Sequence, residues 1–376
     1  MTRQLVIVTH NIIKGDGQGR VALAIAERAL KEGWQVDLIA DRVEPSLLEQ
    51  GGKLIPLVFS PLGKKAILMK VIEGRVFADN YLKKHGARYD IILGYGHTLT
   101  LPHHLSNAQY CHNAWNNYVK TSGMAEARAK SPYQRLYTAY NKWGEKKSFG
   151  QAKKIVCCAH RVKEELMEIG IPESKLEVVF NGADPKEFAA EPLPRAPFGL
   201  PEGVPMAVFA GDIRSPRKNL DSVLKALVQV PGLHLAVVGS SEESPYPAMA
   251  VQLGLTERVH FLGFRRDVAQ VMRACDFFVF PSRYEPFGMV ALEAAFCGLP
   301  LILPECVGAI EAVRDATLVI DTPENVPALA EAMRKLTHDP ELRKTLGAKG
   351  LETRQVCNWE TLTDRWMEIF DEVRKR

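Results

Sequence analysis

The stretch from Phe277 to Ile302 constrains the fold of this chain more than any other. Its first four residues form the short apolar run that a strand buried in a parallel sheet requires. Good helix formers follow. Pro286 suits the first helical position and Gly298 suits the position just past the helix end. A second apolar run, 299–303, predicts another buried strand. The order strand, loop, helix, strand predicts a parallel α/β sheet.

The junction between this loop and this helix is suited to binding an anionic ligand. A helix N-terminus offers unpaired N–H groups and the positive end of a dipole. Parallel α/β sheets bind ligands beyond the carboxyl ends of their strands. The N–H groups expected there belong to Phe287, Gly288, Met289 and Val290, and Gly288 would let a ligand approach the backbone closely.

Two carboxylates flank these groups. Glu285 lies in the loop, and Glu293 lies eight residues later, about 12 Å along a helix. This spacing suits a long ligand with phosphates in the middle and hydroxyls at both ends, such as a nucleotide-diphosphate sugar. The residues alone leave open a simpler interpretation, a capping carboxylate followed by a solvated one.

With Pro281-Ser282 before it, the segment from Glu285 to Glu293 resembles the E-x7-E motif of the retaining glycosyltransferases of family 4. The resemblance covers nearly the whole chain and is most specific over residues 206–300. It implies that the first Glu contacts the donor sugar, that the second binds the ribose, and that N–H groups between them hold the diphosphate. The fold class it implies is α/β with GT-B architecture, two doubly wound Rossmann-like domains facing each other across a cleft.

The chain of 376 residues is long enough for two domains. We expect residues 1–190 to form an acceptor-side Rossmann-like domain. The Pro- and Gly-rich segment 191–205 is predicted as a linker. Residues 206–358 are expected to form the nucleotide-sugar domain, and 359–376 a helix that returns to the first domain.

Composition predicts a cytoplasmic protein whose first domain meets something anionic. The sequence shows neither a signal peptide nor an apolar run that would span a bilayer, and its seven cysteines lack C-x2-C spacing. Residues 1–190 hold 27 basic and 19 acidic side chains, a balance of +8, and the remainder holds 21 and 25, a balance of −4. Solvated surface charge remains the alternative explanation.

An apolar stripe at helical spacing with lysines around it occupies Lys64 to His85. It fits either a helix lying on an anionic membrane at the inner face or an ordinary packed helix with a basic outer face, and the second is favoured. The acceptor expected for the first domain is a glycan or glycolipid. Nucleic acid is not expected as a partner, because no recognised binding module is present.

The first strand, 5–9, leads into a glycine-bearing loop and a helix predicted over Arg20 to Lys31, which together with the next strand make a βαβ unit. The loop lacks a true G-x-G-x-x-G register, so a nicotinamide site is weakly supported and a tight turn is the alternative. The resemblance to family 4 makes Gly17 a donor-binding position.

Residues 109–112 are predicted to form a strand, which would put His112 at a carboxyl end. The family places a His near the transferred sugar at a comparable point. His97, His103 and His104 lack metal-ligand spacing with a carboxylate and are predicted to be loop residues.

A basic loop follows the first strand of the second domain, and Arg217 and Lys218 match a basic position of the family. Asp212 stands where family members often carry an Arg. We expect Arg217 and Lys218 to stabilise the leaving diphosphate. The sequence contains no Asp-x-Asp pair, so neither a metal nor another cofactor is expected.

The predicted activity is that of a retaining glycosyltransferase that moves a hexose from a nucleotide-diphosphate sugar, with a UDP-sugar favoured, to a glycan or glycolipid of a surface polysaccharide or lipopolysaccharide type. The expected catalytic residues are Glu285, His112 and Lys218. A nucleotide-sugar 2-epimerase and a non-catalytic sugar-nucleotide binding protein remain as alternatives.

Overall fold

The computed structural model describes residues 2–122 and 132–375. Two compact units make up the chain: Met1–Phe180 together with Glu360–Arg376, and Asn181–Trp359. The described strands are short, and those in the middle of the two large sheets are almost fully buried. In chain order they are β1 (Gln4–Val8), β2 (Asn11–Ile12), β3 (Gln35–Ala40), β4 (Arg42–Val43), β5 (Lys53–Pro56), β6 (Ile91–Tyr95), β7 (His103–Ala108), β8 (Ala152–Cys157), β9 (Leu176–Val178), β10 (Met206–Ala210), β11 (His234–Val238), β12 (Val259–Phe261), β13 (Phe277–Val279), β14 (Leu301–Pro304) and β15 (Thr317–Ile320).

The described α-helices connect these strands. They are α1 (Gly17–Lys31), α2 (Pro45–Glu49), α3 (Pro61–Lys65), α4 (Ile67–His85), α5 (His112–Thr121), α6 (Pro132–Gln151), α7 (His160–Glu168), α8 (Leu220–Val228), α9 (Tyr246–Gln252), α10 (Val268–Arg273), α11 (Met289–Phe296), α12 (Ile310–Val313), α13 (Val326–His338), α14 (Pro340–Glu352) and α15 (Trp359–Arg374). Short 3-10 helices add single turns at Gly86–Arg88, Glu173–Lys175, Ala196–Phe198, Pro216–Lys218, Arg314–Ala316 and Thr353–Gln355.

Each unit contains one large parallel sheet that winds outward from its middle. The first sheet has the order β5-β3-β1-β6-β7-β8-β9, and β2 pairs with β4 separately. The second has the order β12-β11-β10-β13-β14-β15. In both sheets the chain changes direction once, between β1 and β6 and between β10 and β13. Such switch points leave a crevice at the carboxyl ends of the strands where α/β proteins bind ligands. The predicted α/β class with two doubly wound sheets is confirmed.

Helix α4 packs on the first sheet with one face. Ala78 and Leu82 join the buried cluster formed by Val6, Ile92 and neighbouring apolar side chains of the strands. The packed-helix interpretation of this stripe therefore describes most of its length. Part of the stripe stays in solvent, because Ile67 is 58% exposed. No helix in the described part of the chain combines the length and hydropathy needed to cross a bilayer.

The prediction of a strand over residues 109–112 is wrong. The strand is β7, and His112 is the first residue of helix α5. His103 and His104, predicted as loop residues, lie in β7. The strand escaped detection because its buried side chains include polar ones, with His103 Nε2 only 2.7 Å from Ser106 Oγ. A mutually bonded polar pair can be buried at little cost, but it breaks the apolar pattern.

The segment predicted as a linker, 191–205, lies inside the second unit in this division of the chain. Arg195 donates from Nη2 to Asp276 at 2.9 Å and from Nε to the carbonyl of Ala274 at 2.8 Å. Helix α15 belongs to the first unit from Glu360 onward, and there Arg28 pairs with Asp364 at 2.5 Å.

Candidate active site

The loops that follow β10 and β13 meet at the switch point of the second sheet. Arg217 and Lys218 lie in the first loop and Glu285 in the second. Lys218 Nζ donates to Glu285 Oε2, and Arg217 Nη1 lies 3.4 Å from the same oxygen. The side chains of Lys218 and Glu285 are only 12% and 13% exposed. The fold thus brings Glu285 together with Lys218 and Arg217, which precede it by 67 and 68 positions, at a site largely shielded from water.

This cluster carries more positive than negative charge. Burial raises the pKa of Glu285, but Lys218 and Arg217 outweigh it and hold that pKa below its ordinary value. Burial, with repulsion from Arg217, lowers the pKa of Lys218, while Glu285 acts in the opposite sense. The Lys218 ammonium also lies 5.0 Å from the centre of the Phe280 ring. One ionised carboxylate faces two cations, so the surplus charge is suited to an anionic ligand.

Hydrogen bonds from side chains to backbone carbonyls hold the two loops against each other. Asn219 is fully buried with φ of 63°, and its Nδ2 donates to the carbonyls of Pro281 at 2.9 Å and Pro323 at 2.6 Å. Ser282 Oγ donates to the carbonyl of Arg217 at 3.1 Å. These bonds join residues distant in sequence, so no local pattern marked Asn219 as a supporting residue, and Ser282 was noted only as part of the Pro281-Ser282 pair before the motif.

Helix α11 begins three residues later than predicted, at Met289 rather than Pro286. Gly288 precedes it with φ of 96°, a conformation that favours glycine. Glu285 and Phe287 accept backbone bonds from Gly308 at 3.0 Å and Ala309 at 2.6 Å, which keeps this segment extended. A Cβ at Gly288 would lie 3.0 Å from Glu285 Cγ, so the start of the helix lies directly against the charged cluster.

The other predicted donor-side residues lie along α11. Met289 and Val290 occupy its first two positions, whose N–H groups have no acceptor within the helix. Glu293 is half-buried one turn further along. Gly298 follows the helix end with φ of 74°, as predicted.

In the first unit, Gly17 is the exposed first residue of α1. Asp16 caps this helix, its Oδ1 accepting the N–H of Gly19 at 2.8 Å. A Cβ at Gly19 would lie 3.0 Å from the carbonyl oxygen of Asn11. The tight turn therefore depends on Gly19, a residue to which sequence reasoning gave no role, and Gly17 lies beside it.

His112 lies beyond the carboxyl end of β7 and is held by Glu145, which the sequence did not single out. Glu145 Oε1 is 2.6 Å from His112 Nδ1. His97 packs edge-on to His112, with ring centres 5.5 Å apart, and burial lowers the pKa of His97 to about 3. His97, His112 and Glu145 each offer one atom that could ligate a metal, and these atoms lie within 4.8 Å of one another. Among the described residues, this is the one group of three close enough to hold a metal ion. Two of them, His112 and Glu145, are joined by a hydrogen bond.

Models of two sequence families match consecutive parts of the chain. The model described as Glycosyltransferase Family 4 matches residues 15–187, and the one described as Glycosyl transferases group 1 matches residues 192–353. A D-inositol 3-phosphate glycosyltransferase of Nocardia farcinica is 30% identical over 67% of this chain and 58% of its own length. The lipopolysaccharide core biosynthesis glycosyltransferase LpsD of Rhizobium meliloti is 29% identical over 58% of this chain and 63% of its own. The chain thus spans less than two thirds of these relatives.

Solved structures share the fold over nearly the whole chain. Sucrose-phosphate synthase from Thermosynechococcus elongatus superposes with a TM-score of 0.79 at 21% identity, covering 99% of both chains. WaaG, a glycosyltransferase involved in lipopolysaccharide biosynthesis, gives 0.78 at 20% identity, covering 97% of this chain and 99% of its own. Anabaena HepE in complex with UDP gives 0.71 at 20% identity, covering 99% and 100%. These likenesses confirm the predicted fold class.

Proposed function

Because the chain belongs to the family 4 glycosyltransferases, we propose that it is a retaining glycosyltransferase that moves a hexose from a nucleotide-diphosphate sugar to a glycan or glycolipid. The observation that carries the proposal is the desolvated cluster of Arg217, Lys218 and Glu285 against the start of α11. A UDP-sugar is the favoured donor, supported by the fold shared with HepE, a protein solved with UDP. The names of LpsD and WaaG support an acceptor of the lipopolysaccharide or surface polysaccharide type.

The proposed chemistry assigns one task to each charged group. Charge develops on the diphosphate as the bond to the sugar breaks, and Lys218, Arg217 and the N–H groups at the start of α11 would stabilise it. Glu285 would orient the donor sugar and favour its cationic transition state, and Glu293 would bind the ribose. No metal is required in this scheme, because fixed cations and a helix N-terminus perform its electrostatic task.

Four residues complete the proposed set of donor and sugar contacts. Phe287 and Gly288 lead into α11 and would let the diphosphate approach the backbone. Gly17 begins α1, where it would contact the donor. His112 would bind a hydroxyl of a substrate sugar.

Incubation of the purified protein with UDP-, GDP- and ADP-hexoses, without acceptor, separates this proposal from its alternatives. Slow hydrolysis of a donor is the expected result. Interconversion of two donors would instead identify a 2-epimerase, and tight binding without turnover, even with lysate glycans added, would identify a binding protein.

For the glycolipid part of the proposal, the first unit offers an apolar and basic surface beside α3 and α4. Leu62 is 56% exposed and Ile67 is 58% exposed, with Lys64 and Lys65 between them in sequence. Exposed apolar side chains among lysines suit an anionic membrane. We expect co-sedimentation with anionic vesicles at low salt that weakens at high salt, because salt screens the lysines. Ile67→Asp should reduce the bound fraction, while Val356→Asp, a change at a position 61% exposed in the second unit, should not. No binding at low salt would remove the membrane part of the proposal.

A further inference from the structure

The buried carboxyl of Glu145 has no task in the proposed transfer. It lies on α6 in the first unit and is 1% exposed. A buried charged group is costly unless hydrogen bonds compensate it, so its partners show what the site is built to hold.

Among the described residues, the hydrogen-bond partners of Glu145 are all groups of His112. The backbone N–H of His112 donates to both carboxyl oxygens of Glu145, at 3.1 and 2.9 Å, and the ring nitrogen Nδ1 lies 2.6 Å from Oε1. His112 is the first residue of α5, so its N–H is one of the groups that have no acceptor within the helix. Glu145 therefore caps α5 from another element, where the helix dipole favours negative charge.

The backbone is shaped to bring this carboxyl close. Gly144 precedes Glu145, and a Cβ at Gly144 would lie 3.2 Å from the Cβ of His97. Glycine thus lets α6 approach the loop after β6 and carries Glu145 to the His112 ring. Around that ring lie His97 at 5.5 Å, Tyr110 at 4.7 Å and Tyr137 at 6.5 Å between ring centres.

We propose that Glu145 is a positioning residue that fixes His112 in the tautomer with Nδ1 protonated and Nε2 as the hydrogen-bond acceptor for a substrate hydroxyl. A nitrogen at 2.6 Å from a carboxyl oxygen is held there by the proton between them. In the neutral ring the second nitrogen then carries a lone pair, so the identity of the donor at Nδ1 decides what Nε2 can do. The substrate part of the inference rests on the proposed function of His112.

The tautomer can be read without any assay of activity. Nitrogen-15 NMR of the histidine rings in the full chain, with the His112 signal assigned by its loss in His112→Asn, should show protonated Nδ1 and unprotonated Nε2. Glu145→Gln should shift this balance, because an amide can also donate to the ring. Glu165→Gln changes another buried glutamate of the first unit, on α7, and should leave the His112 signal unchanged. A wild-type His112 protonated at Nε2 and not at Nδ1 would overturn the proposal, whatever the activity of the protein.

Measurements of kcat and KM show whether Glu145 positions the His112 ring or only caps helix α5. Glu145→Gln should lower kcat for donor hydrolysis by about 10- to 100-fold with little change in KM, the size of effect seen when a carboxylate that orients a metal-bound histidine is lost. Glu145→Asp, which keeps the carboxylate, should recover part of that loss. EDTA should leave the wild-type rate unchanged. If folded Glu145→Gln keeps the wild-type kcat, Glu145 only caps the helix. If EDTA abolishes activity and Zn²⁺ restores it, His97, His112 and Glu145 form a metal site. Either result overturns the proposal. Absence of wild-type turnover with every donor would refute the proposed function instead, while the NMR result would still decide the tautomer.

Discussion

Single residues carry the charge balance of the donor-side site. Lys218 and Glu285 are nearly withdrawn from water, and Arg217 shares the same carboxylate oxygen. Two cations partly withdrawn from water around one anion are stabilised by that anion, because its charge compensates their desolvation. The same positive charge that would stabilise a departing diphosphate is therefore expected to lower the folding stability of the protein when Glu285 is absent.

Glu285→Gln should test that expectation. At pH 7 we expect a loss of about 3 kcal/mol of folding free energy, because Lys218 and Arg217 lose their anion. In the wild type the lowered pKa of Glu285 gives stability that is present above the ordinary value of 4.5 and is lost as pH falls through the lowered value. The variant should therefore lose less stability between pH 5 and pH 3. Urea unfolding at several pH values measures both effects, with the exposed Glu341→Gln as control. Equal pH dependence in wild type and Glu285→Gln would contradict the ion-pair account.

At the scale of elements, the start of α11 decides where the N–H groups point. Gly288 adopts φ of 96°, and the residues before it are held extended by bonds to Gly308 and Ala309. The preference of proline for the first helical position predicted a start at Pro286. Backbone hydrogen bonds to residues more than twenty positions away keep this segment out of the helix, and the local sequence does not predict them.

Gly288→Ala should damage this element. An alanine at that φ is strained, and its Cβ would press on Glu285 and Val307 at 3.0 and 3.1 Å. We expect a loss of ~1–3 kcal/mol in folding free energy and weaker donor binding. Gly150→Ala, in the last turn of α6 with open space around its Cβ, is the matched control and should be neutral or slightly stabilising. Chemical denaturation and calorimetric titration with UDP measure the two effects, and unchanged values for Gly288→Ala would refute the role of this turn.

Strands and helices could be predicted from the sequence where the local pattern of apolar residues matches their burial in the fold. The apolar run at Phe277 to Val279 is fully buried as predicted. The sequence did not reveal elements whose buried side chains are polar, as in β7, or whose contacts are distant in sequence, as at Glu145. Glu145 lies among basic and aromatic residues of α6, and only its contact with His112 gives it significance.

At the scale of the whole molecule, two units with the same sheet order carry opposite charge balances. The first winds around β1 and β6 and the second around β10 and β13, so the two switch points offer separate places for ligands. The basic surplus of residues 1–190 favours an anionic partner for the first unit, and the cluster at Lys218 favours one for the second. This division fits a two-substrate enzyme.

Nucleotide binding should raise the stability of the whole chain. A ligand that binds only the folded state stabilises it by mass action, by about 2.7 kcal/mol at a hundred times Kd. We expect UDP to raise Tm more than GDP, ADP or CMP, and Glu293→Ala to reduce that rise because the ribose contact is lost. Glu341→Ala, at an exposed position on α14, serves as the control. A response to GDP alone would contradict the favoured donor.

The most direct test of the central claim is proton NMR of UDP-hexose hydrolysis, recorded before the released sugar equilibrates between anomers. Wild type should release the sugar with the anomeric configuration it had in the donor. Lys218→Ala should lower the rate by about 10²-fold, since a fixed positive charge facing the leaving diphosphate is lost. Lys225→Ala, which removes an exposed lysine of α8, should hydrolyse the donor at the wild-type rate. An inverted sugar, or folded Lys218→Ala as active as wild type, would contradict the assignment of retaining transfer to this cluster.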